Sequence, residues 1–509
     1  MYRHMHHKLG RVFALRTELD AWRKTRASGP HPASHATFAA LPASTLSIAA
    51  LPFASAGSDP EDDYFADGLT EEVTTALAKV QALQVTSRRS AAAFRTTSVG
   101  VRAIAEQLGV RYLVEGSIRR SGSRLRVSAQ LIDARQDVHR WAGTYDGTMD
   151  DVFSIQEQLA RKIVEALELR LTAAEERHLS ERAINSVPAY ECFLRARYDM
   201  WRWHRDAIDR AVQLLRQALT LIGDNARLYA TLGLAHLQYR EAGIDLSDRP
   251  LLEADACASK LSALGDQSAS GWQLRGWIAY SRGCIQDAVR DLKIALDLEP
   301  NNSDTLLLVC NCYLISGRVA AARPLLARLS AVDPLTPITR CMPGFAEIME
   351  GHLEAAIEPY RQMFEMDQSN PMARLFFAWV LIINRRQETV EALLKSFPPD
   401  QRDTLPGRLS FFLANAAAGK SHEAQMELTP EIEIVARATD VFPRFLAEGF
   451  AWVGEGESAI QWLRVAIDRG FINYPFLARH DPAFEALRSE PAFNALLETA
   501  RDRWERFEV

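Results

Sequence analysis

A repeat of 34 residues in the second half of the chain limits the folds that this sequence can adopt. Gly283, Gly317 and Gly351 lie 34 residues apart. The same step separates other small, apolar or proline positions: Ala288, Ala322 and Ala356; Leu292, Leu326 and Tyr360; Pro300 and Pro334. Small residues fit where two helices cross closely, and glycine or proline ends a helix at each turn. A period of this length predicts helix–turn–helix units that stack into an all-α solenoid.

Residues 46–171 show a different pattern, in which strands and helices alternate. LSIAALPF and LQVTS predict buried strands, while RYLVEGSIRR and SRLRVSAQLID form the predicted arms of a hairpin around Gly122. The segment from Asp150 to Leu171 has apolar residues at helical spacing, which predicts an amphipathic helix that closes the domain. The predicted fold class is therefore α+β overall, with a small α/β domain containing a mixed sheet, followed by the all-α solenoid.

Composition changes mark the domain boundaries. Residues 1–26 are basic, and residues 27–45 are rich in alanine, serine and proline, as in a linker. The α/β domain is predicted to occupy residues 46–175, and the helical repeats residues 187–505.

Bulk composition narrows the class of protein. The formal net charge is −6 over 509 residues, so no strong overall field favours nucleic acid or a membrane surface. None of the six cysteines has CxxC spacing, and the amino terminus lacks the apolar run of a signal peptide. These features predict reduced thiols, a cytoplasmic location and no membrane partner.

The stretch DPEDDYFADGLTEEV, residues 59–73, contains seven carboxylates and raises the question of a metal or acid–base site. An EF-hand calcium loop needs glycine at its sixth place, where this sequence has Tyr64. Spacing alone leaves a phosphoryl-accepting or acid–base aspartate open. A helix start is favoured, because the residues from Asp67 to Glu72 supply a cap and an acidic first turn before the apolar run that begins at Val73.

No motif in the sequence predicts catalysis, a cofactor or a metal site. LANAAAGKSHEA ends in GKS at residues 419–421, like a phosphate-binding loop, but Ala414 stands at the place of the first glycine. A turn between helices is the favoured interpretation. Cys310 and Cys312 would point to different faces of one helix, so they are interpreted as core residues. The chain is therefore predicted to be non-enzymatic.

The segment GWQLRGWIAYSRGCIQDAVRDLKIALDLEP, residues 271–300, resembles a tetratricopeptide repeat. The residues at the motif positions of that family are Trp272, Gly276, Gly283, Ala288, Leu292, Ala295 and Pro300. The resemblance covers about residues 187–505 and weakens after residue 385. It implies a non-enzymatic interaction scaffold or regulatory module that binds a protein or peptide partner.

The same resemblance implies a binding groove, because in that family the first helix of each pair lines the concave surface and its ninth position projects inward. The 34-residue step, with neighbours one turn away, gives the predicted groove residues Gln273, Trp277, Tyr280, Asn311, Phe345 and Trp379. Aromatic rings and an amide suit a helix or an extended peptide. The alternative is that the rings pack between helices as core residues.

Three segments of the mixed domain, taken in order, resemble the TolB amino-terminal-like (FlgO-like) domain. They are IAALPFASAGSDPEDDYFADGLTEEV, VRAIAEQLGVRYLVEGSIRRSGSRLRVSAQLIDARQDVHRWAGTYDG and DVFSIQEQLARKIV. The resemblance spans about residues 46–172 and implies an assembly or sensory module without known catalytic residues. Relatives with this pairing of domains also occur fused to nucleotide cyclase domains. One alternative function is therefore an accessory or sensory module of a nucleotide cyclase system.

Residues 1–26, MYRHMHHKLGRVFALRTELDAWRKTR, resemble the end of an excisionase- or MerR-like helix-turn-helix domain. A basic β-wing is expected around residues 7–12, followed by a short helix that ends at Trp22, and the reading helices would precede residue 1. Arg3, Lys8 and Arg11 are possible phosphate contacts, which predicts weak, sequence-independent binding of nucleic acid. A transcriptional regulator is thus a further alternative, as is an ordinary basic tail.

Arginine is enriched between residues 86 and 140, a stretch that contains eleven arginines and four acidic residues. Arg124 and Arg126 belong to the polar face of the predicted hairpin. The surplus of positive charge is interpreted either as a face for an acidic partner or as the solvated side of the sheet.

Overall fold

The computed structural model describes residues 2–4, 11–13, 46–55, 62–95, 99–180 and 183–509. Contacts divide the chain into two units, Met1–Thr45 and Leu46–Val509. The second unit contains both the sheet and the helical repeats, so these two parts pack together as one body.

The first unit contains a short antiparallel pair of strands, β1 (Tyr2–His4) and β2 (Arg11–Phe13). Arg3 lies in β1, and Arg11 begins β2. Several predictions fall outside the described residues: Lys8, the short helix ending at Trp22, the linker at residues 27–45, and the side chains of Arg3 and Arg11.

The second unit begins with a mixed sheet. Its strands are β3 (Leu46–Ala50), β4 (Ala54–Ser55), β5 (Leu83–Val85), β6 (Tyr112–Ser121), β7 (Arg124–Asp133) and β8 (Val138–Thr148). The order is β5-β3-β6-β7-β8, with β4 beside β6. β3 runs parallel to β5 and β6, whereas β7 is antiparallel to both β6 and β8. The predicted hairpin is confirmed, with Gly122 in the left-handed conformation at its turn (φ +60°).

Helices cover both faces of the sheet. They are α1 (Asp62–Ala78), α2 (Arg88–Ala92), α3 (Val101–Leu108) and α4 (Val152–Ala166). Ile48 of β3 shares a buried cluster with residues of α1 and α4, whereas its neighbour Ala49 shares one with residues of α3. Successive side chains of a strand point to opposite faces, so β3 is buried on both sides.

Helix α1 corrects the prediction made for the acidic stretch. The helix begins at Asp62, five residues before the expected start, so Asp67 lies inside it and does not cap it. Asp67 is 3% exposed, and Arg88 and Arg95 form ion pairs with it. Asp67 therefore pairs with arginines of the segment that follows α1.

The rest of the chain is helical. The helices are α5 (Ala173–Ser180), α6 (Val187–Met200), α7 (Arg205–Ile222), α8 (Ala226–Glu241), α9 (Arg249–Ala263), α10 (Ala269–Ser281), α11 (Ile285–Leu298), α12 (Ser303–Ile315), α13 (Val319–Val332), α14 (Pro337–Met349), α15 (Ile357–Met366), α16 (Pro371–Ile383), α17 (Gln387–Lys395), α18 (Pro399–Arg402), α19 (Leu405–Ala417), α20 (Ser421–Gln425), α21 (Pro430–Ala438), α22 (Phe442–Val453), α23 (Gly456–Asp468) and α24 (Pro491–Arg506). Single turns or short helices of other types occupy Met149–Asp151, Leu353–Ala356, Phe476–His480 and Pro482–Ser489. Across the described residues, no helix combines the length and apolar character needed to span a membrane.

Successive helices pair as the 34-residue period predicts. The turns after α10, α12 and α14 each contain a glycine with positive φ: Gly283 (+77°), Gly317 (+70°) and Gly351 (+88°). The GKS sequence also forms a turn between helices, because α19 ends at Ala417 and α20 begins at Ser421. Cys310 and Cys312 are fully buried in α12. The predicted fold class is confirmed.

Residues 468–481, the closing segment, lie against these same turns. A Cβ atom on Gly283 would meet the backbone of Asp468 and Arg469, one on Gly317 would meet Asn473, and one on Gly351 would meet His480. The backbone N–H of Ile472 donates to the carbonyl of Ile315 at 3.0 Å. The repeat glycines therefore provide both the turn conformation and the room for this segment.

Candidate peptide-binding surface

The predicted groove residues lie on the first helices of four successive pairs. Trp277 is in α10, Asn311 in α12, Phe345 in α14 and Trp379 in α16. The first three side chains are partly buried, whereas Trp379 is 1% exposed. The same motif position therefore has two different environments along the chain.

Trp379 is a core residue, so its assignment to an open groove is wrong. Its indole Nε1 donates to Oε2 of Glu448 at 2.6 Å, and its ring centroid lies 5.6 Å from that of Phe445. Arg444 stacks over the same ring at 4.3 Å. All three contacts come from α22, which covers this position.

Asn311 and Tyr280 are joined to each other. The Asn311 amide donates to the Tyr280 hydroxyl at 2.7 Å, and that hydroxyl donates to the carboxylate of Asp440. Gln273 is 7% exposed, and its Nε2 lies 3.5 Å from Oδ1 of Asn302. The side-chain amide of Asn311, which was predicted to contact a bound peptide, thus positions Tyr280 within the chain.

Trp277 donates its indole N–H to the carboxylate of Glu241, the last residue of α8. Solvent reaches both side chains. Enclosure by the surrounding protein raises the pKa of Glu241 to about 8; the Trp277 hydrogen bond opposes this shift, and the charges of Asp440 and Asp304 add to it. This carboxyl therefore changes between its protonated and ionised forms around pH 8.

A cavity of about 490 Å³ adjoins Trp277. Its walls come from α1 of the sheet domain and from α6, α8 and α10 of the repeats, and they include Gln273, Trp277, Trp201 and Trp203. Trp203 is 39% exposed and has a φ of +52°, which is unusual for a residue with a side chain. Two predicted groove residues therefore border a partly open cavity that the sheet domain helps to form.

Ion pairs fix the sheet domain against the repeats beside this cavity. Glu71 accepts from Arg88 at 2.7 Å and from Nε of Arg197 at 3.0 Å, and Glu72 accepts from Arg227. Burial alone would raise the pKa of Glu71, but Arg197, Arg88 and Arg227 outweigh it and lower that pKa. The pairs with Arg197 and Arg227 connect residues more than a hundred positions apart, and no local pattern in the sequence indicates them.

The arginines between residues 86 and 140 are largely paired within the chain. Their acidic partners include Asp67, Glu71, Glu191 and Asp304, which lie outside that stretch. Arg126 pairs with Asp146 on the exposed face of the sheet at 2.5 Å. The surplus of positive charge in this stretch is therefore offset by acidic residues from other segments.

One group of described residues has the spacing of metal ligands. Ligand atoms of Glu347, Glu350 and His352 lie within 4.8 Å of one another. Arg323 already donates to Glu347 at 3.1 Å and also to Glu350. A metal ion would have to displace this guanidinium, so the group is interpreted as an ion-pair cluster.

The predicted groove residues did not include Glu241, which pairs with Trp277, or Trp203, which lines the cavity. Glu241 lies 36 positions before Trp277, and nothing around it in the sequence marks it. The sequence did indicate Trp203, because WRWH at residues 201–204 places two large aromatic rings in a short turn between α6 and α7. Exposed tryptophan in such a turn is a recognisable feature of binding surfaces.

Comparison with known proteins finds a family match within the helical region. Residues 279–338 match the sequence profile of the tetratricopeptide repeat family. A protein of Rhizobium meliloti (strain 1021) named "Putative adenylate cyclase 3" is 38% identical over 191 residues. The match covers 38% of this chain and 32% of that protein, so the chain spans about a third of the length of this curated relative.

Two solved structures match parts of this chain with TM-scores below 0.5. One is a Rap protein complexed with competence and sporulation factor, with 12% identity, a TM-score of 0.46, and coverage of 63% of this chain and 100% of that chain. The other is a thermophilic tetratricopeptide repeat protein of Thermus thermophilus, with 18% identity, a TM-score of 0.31, and coverage of 38% and 99%. The profile match, the 34-residue spacing and the paired helices agree on tetratricopeptide repeat sequence at residues 279–338.

Proposed function

We propose that this chain is a non-enzymatic scaffold that binds a peptide segment of a partner protein between α1 and the first helices α6, α8 and α10. The observation that carries the proposal is the cavity of about 490 Å³ at this position, with tryptophan rings in its walls. Tetratricopeptide repeats generally suggest a protein-interaction role, and enclosed aromatic sites of this kind suit peptide anchors.

Trp203 supports the same interpretation. A non-glycine residue in the left-handed region costs about 1–2 kcal/mol, and this conformation keeps a large ring 39% exposed at the cavity. Tryptophan is enriched among the residues that contribute most to binding energy. We therefore assign Trp203 and Trp277 as the two aromatic anchors of the site.

Peptides selected from a phage-displayed random library on the purified full chain test this function. Fluorescence anisotropy then compares the wild type with Trp203→Ala and Trp277→Ala. Each variant should weaken binding at least tenfold, because an anchor tryptophan contributes about 2 kcal/mol or more. Leu252→Ala is the matched control, since Leu252 is 63% exposed in α9 and does not line the cavity. Failure to enrich any peptide, or equal affinity for all variants, would contradict the proposal.

One observation favours a second function, an accessory module of a nucleotide cyclase system: the 38% identity to the protein named as an adenylate cyclase. On this proposal the chain regulates a cyclase without catalysing the reaction. Cyclic AMP formation from ATP is measured with the chain alone and with a cyclase catalytic domain from the same genome. The chain alone should give no product, and it should change the rate of the added cyclase. Product from the chain alone would overturn the non-enzymatic assignment, and an unchanged cyclase rate would overturn the accessory role.

Binding of nucleic acid by residues 1–26 stays a prediction. If it occurs through Arg3, Lys8 and Arg11, it should be salt-sensitive and indifferent to base sequence. Electrophoretic mobility shifts with one duplex and its scrambled counterpart test this at two salt concentrations. A preference of more than about tenfold for one duplex would contradict it.

A further inference from the structure

Trp277 and Trp379 occupy the same repeat position, separated by three steps of 34 residues. Each indole N–H donates to a glutamate carboxylate: Trp277 to Glu241, and Trp379 to Glu448. Glu241 comes from the preceding first helix and Glu448 from a later one. The chain thus contains the same pairing of ring and carboxylate twice, built from different helices.

At Trp379 an arginine completes this arrangement. The guanidinium of Arg444 lies 4.3 Å from the ring centroid, and its Nη1 lies 3.3 Å from Oε1 of Glu448. The planar cation therefore stacks on the indole and pairs with the carboxylate that the indole also contacts. The whole group is buried, with Trp379 at 1% and Arg444 at 6% exposure.

At Trp277 the surroundings differ in charge. Among the described residues, no arginine or lysine stacks on this ring. Arg89, the cation whose charge acts on Glu241, is paired with Asp304 at 2.9 Å. Asp440 lies nearby, where it accepts from Tyr280. Trp277 therefore has two carboxylates near it, and Glu241 is exposed to solvent. No cation from the described part of the chain stacks on its ring.

We infer that Trp277 and Glu241, with Tyr280 and Asp440 beside them, receive the guanidinium of an arginine side chain from the bound peptide. Arginine fits better than lysine, because a planar guanidinium can stack on the indole while it donates to a carboxylate. The inference rests on the proposed peptide-binding function and specifies the chemistry of one anchor. The partner segment is accordingly basic at this position, where its charge complements Glu241 and Asp440.

The titration of Glu241 agrees with this assignment. Its pKa of about 8 is raised chiefly by enclosure in the surrounding protein, and the charges of Asp440 and Asp304 add to this shift. A guanidinium beside it would favour the ionised form and lower that pKa. Acidic groups that face this carboxyl are Asp304 and Asp440, and the cation Arg89 opposes them.

The test uses the peptides selected on the full chain. Arginine should recur in them, and its replacement by citrulline, which keeps the shape and removes the charge, should weaken binding about tenfold. Glu241→Gln should weaken binding of the arginine peptide by a similar factor. The two changes together should cost little more than either alone, since both remove the same interaction. Glu391→Gln is the control, because Glu391 is an exposed acid in α17 that does not line the cavity.

The outcomes separate this inference from the function it rests on. If selected peptides need Trp203 and Trp277 but contain no recurrent arginine, and bind Glu241→Gln as tightly as the wild type, the arginine site is overturned and the scaffold function stands. If no peptide depends on the two tryptophans, both fail. The citrulline comparison leaves the protein unchanged, so it remains decisive even where Glu241→Gln folds poorly.

Discussion

Replacing Gly317 by alanine tests whether the closing segment is held against the repeat turns. Gly317 has a φ of +70°, and a Cβ atom there would lie 2.7 Å from Oδ1 of Asn473. Gly419 has a φ of +71°, but nothing lies within 4 Å of its Cβ position. Gly317→Ala and Gly419→Ala therefore share the backbone strain and differ in the contact.

The expected magnitude follows from the two contributions. The left-handed conformation costs alanine about 1–2 kcal/mol at either position. At Gly317 the side chain of Asn473 must also move. This residue is 1% exposed, donates to the carbonyl of Leu314 at 3.3 Å and accepts from the N–H of Phe476 at 3.1 Å. Two lost hydrogen bonds at about 1 kcal/mol each add about 2 kcal/mol. Gly317→Ala should thus cost about 3–4 kcal/mol and Gly419→Ala about 1–2 kcal/mol.

Hydrogen exchange read by mass spectrometry is the assay, because a chain of 509 residues is not expected to unfold in two states. Amides of residues 471–481 should exchange about thirtyfold faster in Gly317→Ala than in the wild type, which corresponds to about 2 kcal/mol. In Gly419→Ala they should exchange at the wild-type rate. Equal exchange of this segment in both variants would refute the reasoning.

Three further predictions concern the tryptophans and the charged groups. Trp379→Ala should lower the free energy of unfolding by about 3–5 kcal/mol because its ring is buried, whereas Trp277→Ala should lower it by about 1 kcal/mol. Equal shifts of the two variants in thermal unfolding would contradict this difference. The folded pKa of Glu71 is lowered, so its contribution to stability is complete above its ordinary pKa of about 4.5 and is lost as pH falls through the folded value. Glu71→Gln should therefore lose less stability on acidification than the wild type, and parallel melting curves against pH would count against the ion pair with Arg197. Affinity for an arginine peptide should rise with pH and level off above about 8, because the peptide binds the ionised form of Glu241; a flat profile in calorimetric titrations would exclude that carboxyl from the site.

The sequence predicted the solenoid because its signals are local. Gly283, Gly317 and Gly351 set turns of the same conformation, and each turn depends on a few neighbouring residues. The hairpin around Gly122 was predictable for the same reason, since its two arms are adjacent in the chain. The predicted start of α1 was wrong because aspartate is a common helix-capping residue. Asp67 instead lies inside the helix and pairs with Arg88 and Arg95.

The candidate site was only partly predictable, because its environment depends on distant segments. Trp277 and Trp379 share a motif position, yet α22 covers only the second. Glu241 reaches Trp277 through the packing of successive first helices. The wall formed by α1 depends on ion pairs such as Glu71 with Arg197, 126 residues apart. Repeat periodicity indicates which helix carries a residue, but the segment that packs over it is set by tertiary contacts.

The most direct test of the account is the footprint of a selected peptide on the full chain, measured by hydrogen exchange with and without the peptide. The account predicts protection in α8, α10 and the cavity-lining part of α1, with little change in the second helices α9 and α11. Trp277→Ala should remove this protection at the same peptide concentration. Protection confined to the second helices or to the exposed face of β7 and β8, unaffected by Trp277→Ala, would contradict the proposed site.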